Sequence, residues 1–597
     1  MIPKDADRRG LRRVLRALKG PIGARTHPVH WDRAPEAGLC LPWLLPPALP
    51  GQPPVAVGWG GQAPCDDAAL AAMVDRLRRD GTWWTAIAAG APRPRAIADL
   101  RGRGLKDAER LLDRLEIEAE AGTSAPADGA PPLEVPPREA SPREALMALA
   151  ETGSPGWTAA RARGLMTVPR IPLVDPAALE LVVANAGPLP WRAALMGLRG
   201  LDAGGAPVDP FPWARRLRFV DPWRGIAISA EEGLDAMAFL RRAAQENDRR
   251  AVTAGLSGWK RRNVAPFLAG PAGPALHRAR VDAAMTLALA EGGRVAVWGV
   301  QEPARAAIGA ACELVHMEDG FVRSVGLGLR HAPPASLAID REALYFDATR
   351  PTDFERLTAA AAFDPPLLAR ARDLRARLIA LRITKYNLHR GARPPEVGPE
   401  RFKLLVPGQV EGDASLRFGS PEVSLNADLL RAARARHPDA FILYKPHPDV
   451  LTGLRAGAVP LSVLADCADA VAEDASAEAC LDWADGVETM TSLMGFEALL
   501  RGKAVACHGR PFYHGWGLTE AASGGAFHRA RRLSLDELTA AALILYPRYV
   551  DPRTRLPAPP ERVLDWLDGE RAFARTRRGR IRDGLRALIS RALNIGR

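Results

Sequence analysis

The stretch Leu405–Ser420, LVPGQVEGDASLRFGS, decides how the chain is read. An apolar run with the look of a buried strand passes into a loop carrying Gly408, Gln409, Glu411, Gly412 and Asp413, then Ser415 and Arg417. A carboxylate at the carboxyl end of a strand, where water is excluded, serves as a nucleophile or a base. An aspartate in that position equally serves to cap the turn that follows it. Both roles are open on spacing alone.

Outward from this stretch, short apolar runs alternate with longer helical patterns. The expected strands are RVAVWGV (294–300), ELVHME (313–318), SLAID (336–340), KLLVPGQV (403–410), AFILYKP (440–446), GVETM (486–490) and AVACHG (504–509). Helical patterns fill the intervals, as at 366–382 and 424–436. Such alternation predicts α/β domains with parallel sheets, here in two groups. Their boundaries are set at 283–395 and 396–555. Two doubly wound domains facing one another place their chemistry on loops at the carboxyl ends of the strands. The segment AGTSAPADGAPPLEVPPREASP (121–142) reads as a flexible linker. It separates an N-terminal region, 1–120, from a mixed, largely helical region, 143–282. The first half is therefore expected to be divergent, either mixed α/β or helical.

The chain has 597 residues, enough for several domains, with 47% hydrophobic and 25% charged residues, as in soluble globular proteins. No run of eighteen apolar residues occurs and the N-terminus lacks a secretory pattern, so neither a membrane span nor a signal peptide is expected. Six scattered cysteines form no CxxC or zinc spacing, which fits a reducing cytoplasm. The net charge of +12 calls for an acidic partner. Residues 571–597 carry nine Arg and one Asp, with Ile581, Leu585, Leu588, Ile589 and Leu593 at helical spacing. That is a basic amphipathic helix of the kind that lies on anionic membranes, and residues 8–19 repeat the theme. The alternative is a helix packed on the body with a solvated basic face. No nucleic-acid-binding module accompanies the charge, so nucleic acid is not an expected partner.

Four further stretches carry candidate chemistry. In HMEDGFVRSVGLGL (316–329), Glu318 ends a strand, Gly320 lets the chain turn, Asp319 orders the turn, and Arg323 is suited to an anionic group. In YKPHPD (444–449), two prolines stiffen a loop that presents Lys445 and His447, a phosphate grip or an ordinary strand exit. In TMTSLMGFEALLRGKAV (489–505), Thr491 and Ser492 begin a helix whose N–H groups suit phosphate, while Ser492 also suits an N-cap. Glu497 lies within ribose reach or is solvated. In GRPFYHGWGLTEA (509–521), Tyr513, His514 and Trp516 either shape a substrate pocket or pack against a helix. A Glu318/Asp413 pair drawn from facing domains is the acid/base-plus-nucleophile arrangement of retaining glycosyl transfer. The spacing leaves open whether they meet.

EDGFVRSVGLG, ASLAIDREALYFDATRPTDFE, KYN (385–387), VPGQVEGDASLRFG, ILYKPHPDV, TMTSLMGFEALLRGK, GRPFYHGWGLTE and LILYPRYVDPRT occur in one order. The series resembles the catalytic module of KpsC-type capsule polysaccharide β-Kdo glycosyltransferases, over about 250–555, and SGWKRRNVAPFL (257–268) resembles that family's inter-module connection. The resemblance implies a GT-B-like pair of Rossmann-type domains with the nucleotide mainly in the second. It implies retaining transfer of Kdo from CMP-Kdo to an oligo-Kdo linker on a phosphatidylglycerol-type lipid. Asp413 is then the nucleophile, Glu318 the general acid/base, and His447 with Lys445 lies near the CMP phosphate and Kdo. Thr491, Ser492 and Glu497 complete the CMP site, with Gln409, Ser415, Arg323, Asp319, Tyr513 and Trp516 in the substrate and nucleotide pocket. No metal or cofactor is expected beyond the CMP-Kdo donor. The implied partners are an anionic glycolipid acceptor, the cytoplasmic face of the inner membrane, and other capsule synthesis and export proteins. The family's usual plan has two tandem modules, yet residues 1–250 lack any EDGF, DAS or KPHP string. Their one echo is AVGWGG (56–61) against AVWGV (296–300). One active site is expected. The rival readings are a CDP-polyol phosphotransferase and a non-catalytic assembly scaffold.

Overall fold

In the computed structural model, the described residues run from 217 to 575, except 271, 301–311, 323–333, 385–391, 454 and 524–526. Upstream they are 57–59, 68, 71–72, 75, 96–100, 104–121, 146–149, 153–163, 166–168, 181–183 and 199–201. The chain divides into two compact units between Asp248 and Arg249, with Gly270–Gly273 belonging to the first.

In the first unit, strands Ala96–Asp99, Leu146–Leu149, Met166–Val168, Leu181–Val183 and Arg199–Leu201 form one parallel sheet. Ala96 pairs with Leu146, so the strands flanking 121–142 lie side by side. The Pro/Ala/Gly-rich segment therefore connects two strands of one sheet and does not divide two domains. Val57–Trp59 pairs antiparallel with Leu217–Val220 in a separate three-stranded sheet, so the AVGWGG echo has no structural counterpart in the parallel strand at 294–298.

The second unit opens with β1 (Ala251–Ala254), α1 (Gly258–Leu268), β2 (Leu276–Arg278), α2 (Val281–Ala290), β3 (Arg294–Trp298), β4 (Glu313–Asp319) and β5 (Ser336–Asp340). Helices α3 (Asp353–Ala360) and α4 (Pro365–Ala380) lead to β6 (Lys403–Pro407), α5 (Ala414–Gly419), α6 (Asn426–Arg436), β7 (Phe441–Lys445) and α7 (Pro448–Leu451). Next come α8 (Leu461–Cys467), β8 (Ala470–Val471), α9 (Ala477–Trp483), β9 (Gly486–Thr489), α10 (Leu493–Leu500), β10 (Ala504–Cys507) and β11 (Glu520–Ala521). Helix α11 (Leu535–Ala540), a π-helical turn (Ala541–Leu545), β12 (Arg548–Tyr549) and α12 (Pro560–Arg575) complete it.

One sheet has the order β2-β1-β3-β4-β5-β12. It is parallel from β2 to β4, and β5 and β12 are antiparallel. The first of the two expected sheets thus begins at Ala251 rather than after 282, because the short AVTA run adds a fully buried strand beside β3. The other sheet, β8-β7-β6-β9-β10-β11, is parallel throughout. Leu404, Leu405 and Val406 of β6 are buried on both faces, which a parallel sheet covered by helices on each side requires. Chain order reverses between β6 and β9, a topological switch point where the flanking helices part and a crevice opens at the carboxyl ends. Local signals start the helices. Thr352 and Glu355 form a capping box at α3, and Asp364 caps α4 ahead of Pro365.

β9 also carries a fully buried carboxylate, Glu488. It accepts from His508 Nε2 at 2.7 Å, from His437 Nε2 at 2.9 Å, and from Arg436 at 3.4 Å. Burial opposes its ionisation, but the His508 hydrogen bond and the charges of His508, Arg436 and His437 outweigh that and hold it below the usual glutamate range. A depressed folded-state pKa contributes stability above the unfolded value and loses it as pH falls through the folded one. Glu488→Gln should cost about 3 kcal/mol at pH 7. It should also flatten the loss of thermal stability below the ordinary glutamate value of 4.5. Melting curves from pH 3 to 7 on both proteins check this.

Candidate active site

The carboxyl ends of β4, β6, β7 and β9 surround a cavity of about 370 Å³. Glu318 enters from β4 of the mixed sheet, and its Oε1 accepts from the Asp319 N–H at 3.1 Å. The close approach of the following turn to Ser336 fixes a glycine there. A Cβ on Gly320 would lie 2.3 Å from Ser336 Oγ.

The parallel sheet supplies the opposite side. Gly412 sits at φ +75° and turns the chain so that Asp413 starts α5. Asp413 occupies the N-cap position, yet its side chain makes no capping bond. Its carboxylate is half-exposed, accepts from Ser415 Oγ at 3.2 Å, and lies 3.6 Å from the Arg455 guanidinium. The capping role open to this aspartate is therefore not the one it takes.

Across the switch point, Gln409 and Thr491 bond reciprocally. Gln409 Nε2 donates to Thr491 Oγ1 and Thr491 N donates to Gln409 Oε1, each at 2.9 Å. The buried Asn426 anchors the same loop. Its Oδ1 accepts from Gln409 N at 2.8 Å, and its Nδ2 donates to the carbonyls of Gln409 and Gly457. Ser492 caps α10 by accepting from Met494 N at 3.2 Å, so its capping role is realised beside the cavity. Glu497, buried on the same helix, lines the cavity too.

At the exit of β7, the buried Lys445 ammonium donates to the Ala472 carbonyl at 2.9 Å. His447 Nδ1 accepts from Asp449 N at 3.1 Å. An imidazole nitrogen that accepts is unprotonated, so the neutral ring carries its proton on Nε2 and presents a donor there.

A sequence profile described as "Capsule polysaccharide biosynthesis protein" matches residues 376–549. "Capsule polysaccharide modification protein LipA" of Neisseria meningitidis serogroup A is 40% identical over 339 residues, covering 56% of this chain and 48% of LipA. "Lipopolysaccharide-processing protein LpsZ" of Rhizobium meliloti is 42% identical over 258 residues, 42% of this chain and 58% of LpsZ. A solved structure titled "Thermosulfurimonas dismutans KpsC, beta Kdo 2,7 transferase" is 35% identical, with 54% of this chain and 99% of that chain covered and a TM-score of 0.46. Over these residues the chain is similar to capsule polysaccharide biosynthesis and modification proteins. The "beta Kdo 2,4 transferase" structure from the same organism is 33% identical, covering 53% of this chain and 98% of that one, at a TM-score of 0.46. The chain spans about half the length of the LipA proteins it matches.

In this protein Glu318, Asp319, Gln409, Asp413, Ser415, Lys445, His447, Thr491, Ser492 and Glu497 all line one cavity. Tyr513 and Trp516 do not. They are fully buried in the core, where Tyr513 Oη donates to the Ser492 carbonyl at 2.5 Å and Trp516 Nε1 to the Phe512 carbonyl at 2.7 Å. The Tyr513 ring packs on Phe496 of α10, Trp516 lies edge-on to Phe354 with the Arg529 guanidinium over it, and Phe512 takes the place on the wall. His514 is buried as well, its imidazole pushed down to about 4 by burial, with Arg510 and His528 adding to the effect. Arg323 lies outside the described residues. Nothing in the local sequence marks Asn426, which reads as an ordinary helix start, or Arg455, which lies in an unremarkable loop. Asn426→Ala leaves the Gln409 and Gly457 groups without their partner. It should cost about 2 kcal/mol in urea unfolding, the penalty for unmatched buried polar groups.

Proposed function

We propose that this chain is a retaining glycosyltransferase that moves Kdo from CMP-Kdo onto a lipid-linked oligo-Kdo acceptor of the phosphatidylglycerol type, in building the linker that carries a capsule chain. The observation that carries the reading is the single cavity holding Glu318 from one sheet and a non-capping Asp413 from the other. Two α/β lobes contributing opposite walls of one crevice suit a GT-B arrangement.

In the first step an Asp413 carboxylate oxygen bonds to the anomeric carbon. The bond from that carbon to the CMP phosphate oxygen breaks, and CMP leaves with the electron pair. In the second, the acceptor hydroxyl attacks the same carbon, Glu318 takes its proton, and the Asp413–sugar bond breaks. Two displacements at one carbon return the original configuration. The N-terminus of α10, the His447 Nε2 donor and Lys445 suit the departing phosphate. One such site forms one linkage type, so an alternating linker requires a partner enzyme. Among the described residues no helix is long and apolar enough to cross a membrane. The basic C-terminal segment supplies contact with the inner face of the inner membrane. Residues 576–597 of that segment lie outside the described ones.

Incubation with CMP-Kdo and a Kdo-bearing acceptor should yield a glycosidic product. Glu318→Gln should slow it by roughly 10²–10⁴-fold. Intact-mass measurement on the Glu318→Gln protein should reveal a trapped Kdo adduct that maps to Asp413, and Asp413→Asn should give no adduct. Turnover of a CDP-polyol with none of CMP-Kdo would refute the assignment. Separately, removal of 571–597 should move the protein from the membrane to the soluble fraction after cell lysis.

A further inference from the structure

We infer that Arg455 binds the carboxylate of the donor sugar and so selects keto-sugar acids over sugars without that group. The inference rests on the proposed CMP-Kdo reading. Among the described residues lining the cavity, Lys445 and Arg455 are the lysine and arginine side chains, set against six carboxylates: Glu318, Asp319, Asp413, Asp449, Glu473 and Glu497. Lys445 is buried and reaches the Ala472 carbonyl, whereas the Arg455 side chain is half-exposed beside Asp413.

Its position is built by the surrounding loops. Glu411 N donates to the Ala456 carbonyl at 3.1 Å, and Asn426 Nδ2 donates to the Gly457 carbonyl at 2.9 Å. Both bonds fix the two residues that follow Arg455, one from Glu411 in the loop that leads to Asp413 and one from Asn426 at the start of α6. The guanidinium therefore stands next to the proposed nucleophile through backbone anchors, independently of its own ion pair. That pair is 3.6 Å long with both partners half-exposed, so it contributes little and exchanges readily.

The reaction demands a cation there. Attack of Asp413 on an anomeric carbon that bears a carboxylate brings two negative groups together, and their repulsion opposes bond formation. A guanidinium already beside Asp413 can turn its fork to the sugar carboxylate as the donor enters, bridging both anions. The same group selects against aldose donors, which leave it unmatched.

Initial rates with CMP-Kdo, with free CMP as a competitive inhibitor, test this in the full-length protein. Arg455→Ala should lower kcat/KM for CMP-Kdo by roughly 100-fold while the Ki of CMP moves less than about twofold. Arg455→Lys, which keeps charge and stem but loses the fork, should lie between, near tenfold. Equal weakening of CMP and CMP-Kdo would place Arg455 on the phosphate and overturn the inference, as would an unchanged kcat/KM in both variants. If Arg455→Ala melts early, the Lys variant carries the comparison. Failure of the unsubstituted protein to turn over CMP-Kdo overturns the functional reading instead.

Discussion

The paired bonds between the Gln409 amide and Thr491 hold the cavity together. A parallel sheet that reverses its strand order parts its helices at the reversal, and the two strand ends there have no turn to join them. Gln409 closes that gap by using both ends of its amide on one residue across the crevice. Asn426 then fixes the Gln409 backbone from behind and reaches on to Gly457. These groups are removed from water, where an unmatched donor or acceptor costs about 1–3 kcal/mol, so the loop has one conformation that satisfies all of them. The placement of Asp413, of the α10 N-terminus and of the 455–457 segment follows from that conformation.

The facing wall is held by different means. Around Glu318 the constraint is steric, with Gly320 pressed on Ser336 and the Ser336 hydroxyl bonded to the Val322 carbonyl. Behind it, Phe321 stacks on Phe512 at 4.2 Å, with Tyr345 and Phe354 edge-on, Phe496 tilted and Tyr546 stacked around them. Phe496 and Phe512 come from the parallel-sheet lobe, so this aromatic knot joins the two walls. Such rings prefer offset and edge contacts, and the knot supplies a rigid cavity floor in a region where the carboxylates repel.

Much of this was legible in the sequence. Each apolar run expected as a strand from 294 to 509 is one, trimmed by a residue or more where a glycine loop starts, as at Pro407 and Cys507. Buried parallel strands announce themselves as unbroken apolar runs. Ala251–Ala254 and Arg548–Tyr549 were not expected: the first has one bulky apolar residue among small ones, and the second is two residues long. The antiparallel turn of β5 is also silent in composition, because direction is a property of the partner. In the site, the residues at strand ends were visible because Gly and Pro mark loops. Asn426 and Arg455 were not, since a helix start and an exposed loop arginine occur in every protein. Tyr513 and Trp516 show the limit from the other side. Composition gives an aromatic loop its bulk, but only packing decides which ring meets solvent.

The return of β12 to the mixed sheet bears on the order in which the protein is made. The Tyr546 hydroxyl donates to the buried Asp340 carboxyl from 206 positions away, and Tyr549 pairs with Ser336 at the edge of that sheet. The whole parallel sheet, β6 to β11, is translated between those partners. On the ribosome, the parallel lobe can close on contacts local to itself while the mixed sheet still waits for its last strand. The outer edge of the sheet bearing Glu318 is thus completed only after the parallel lobe has been made.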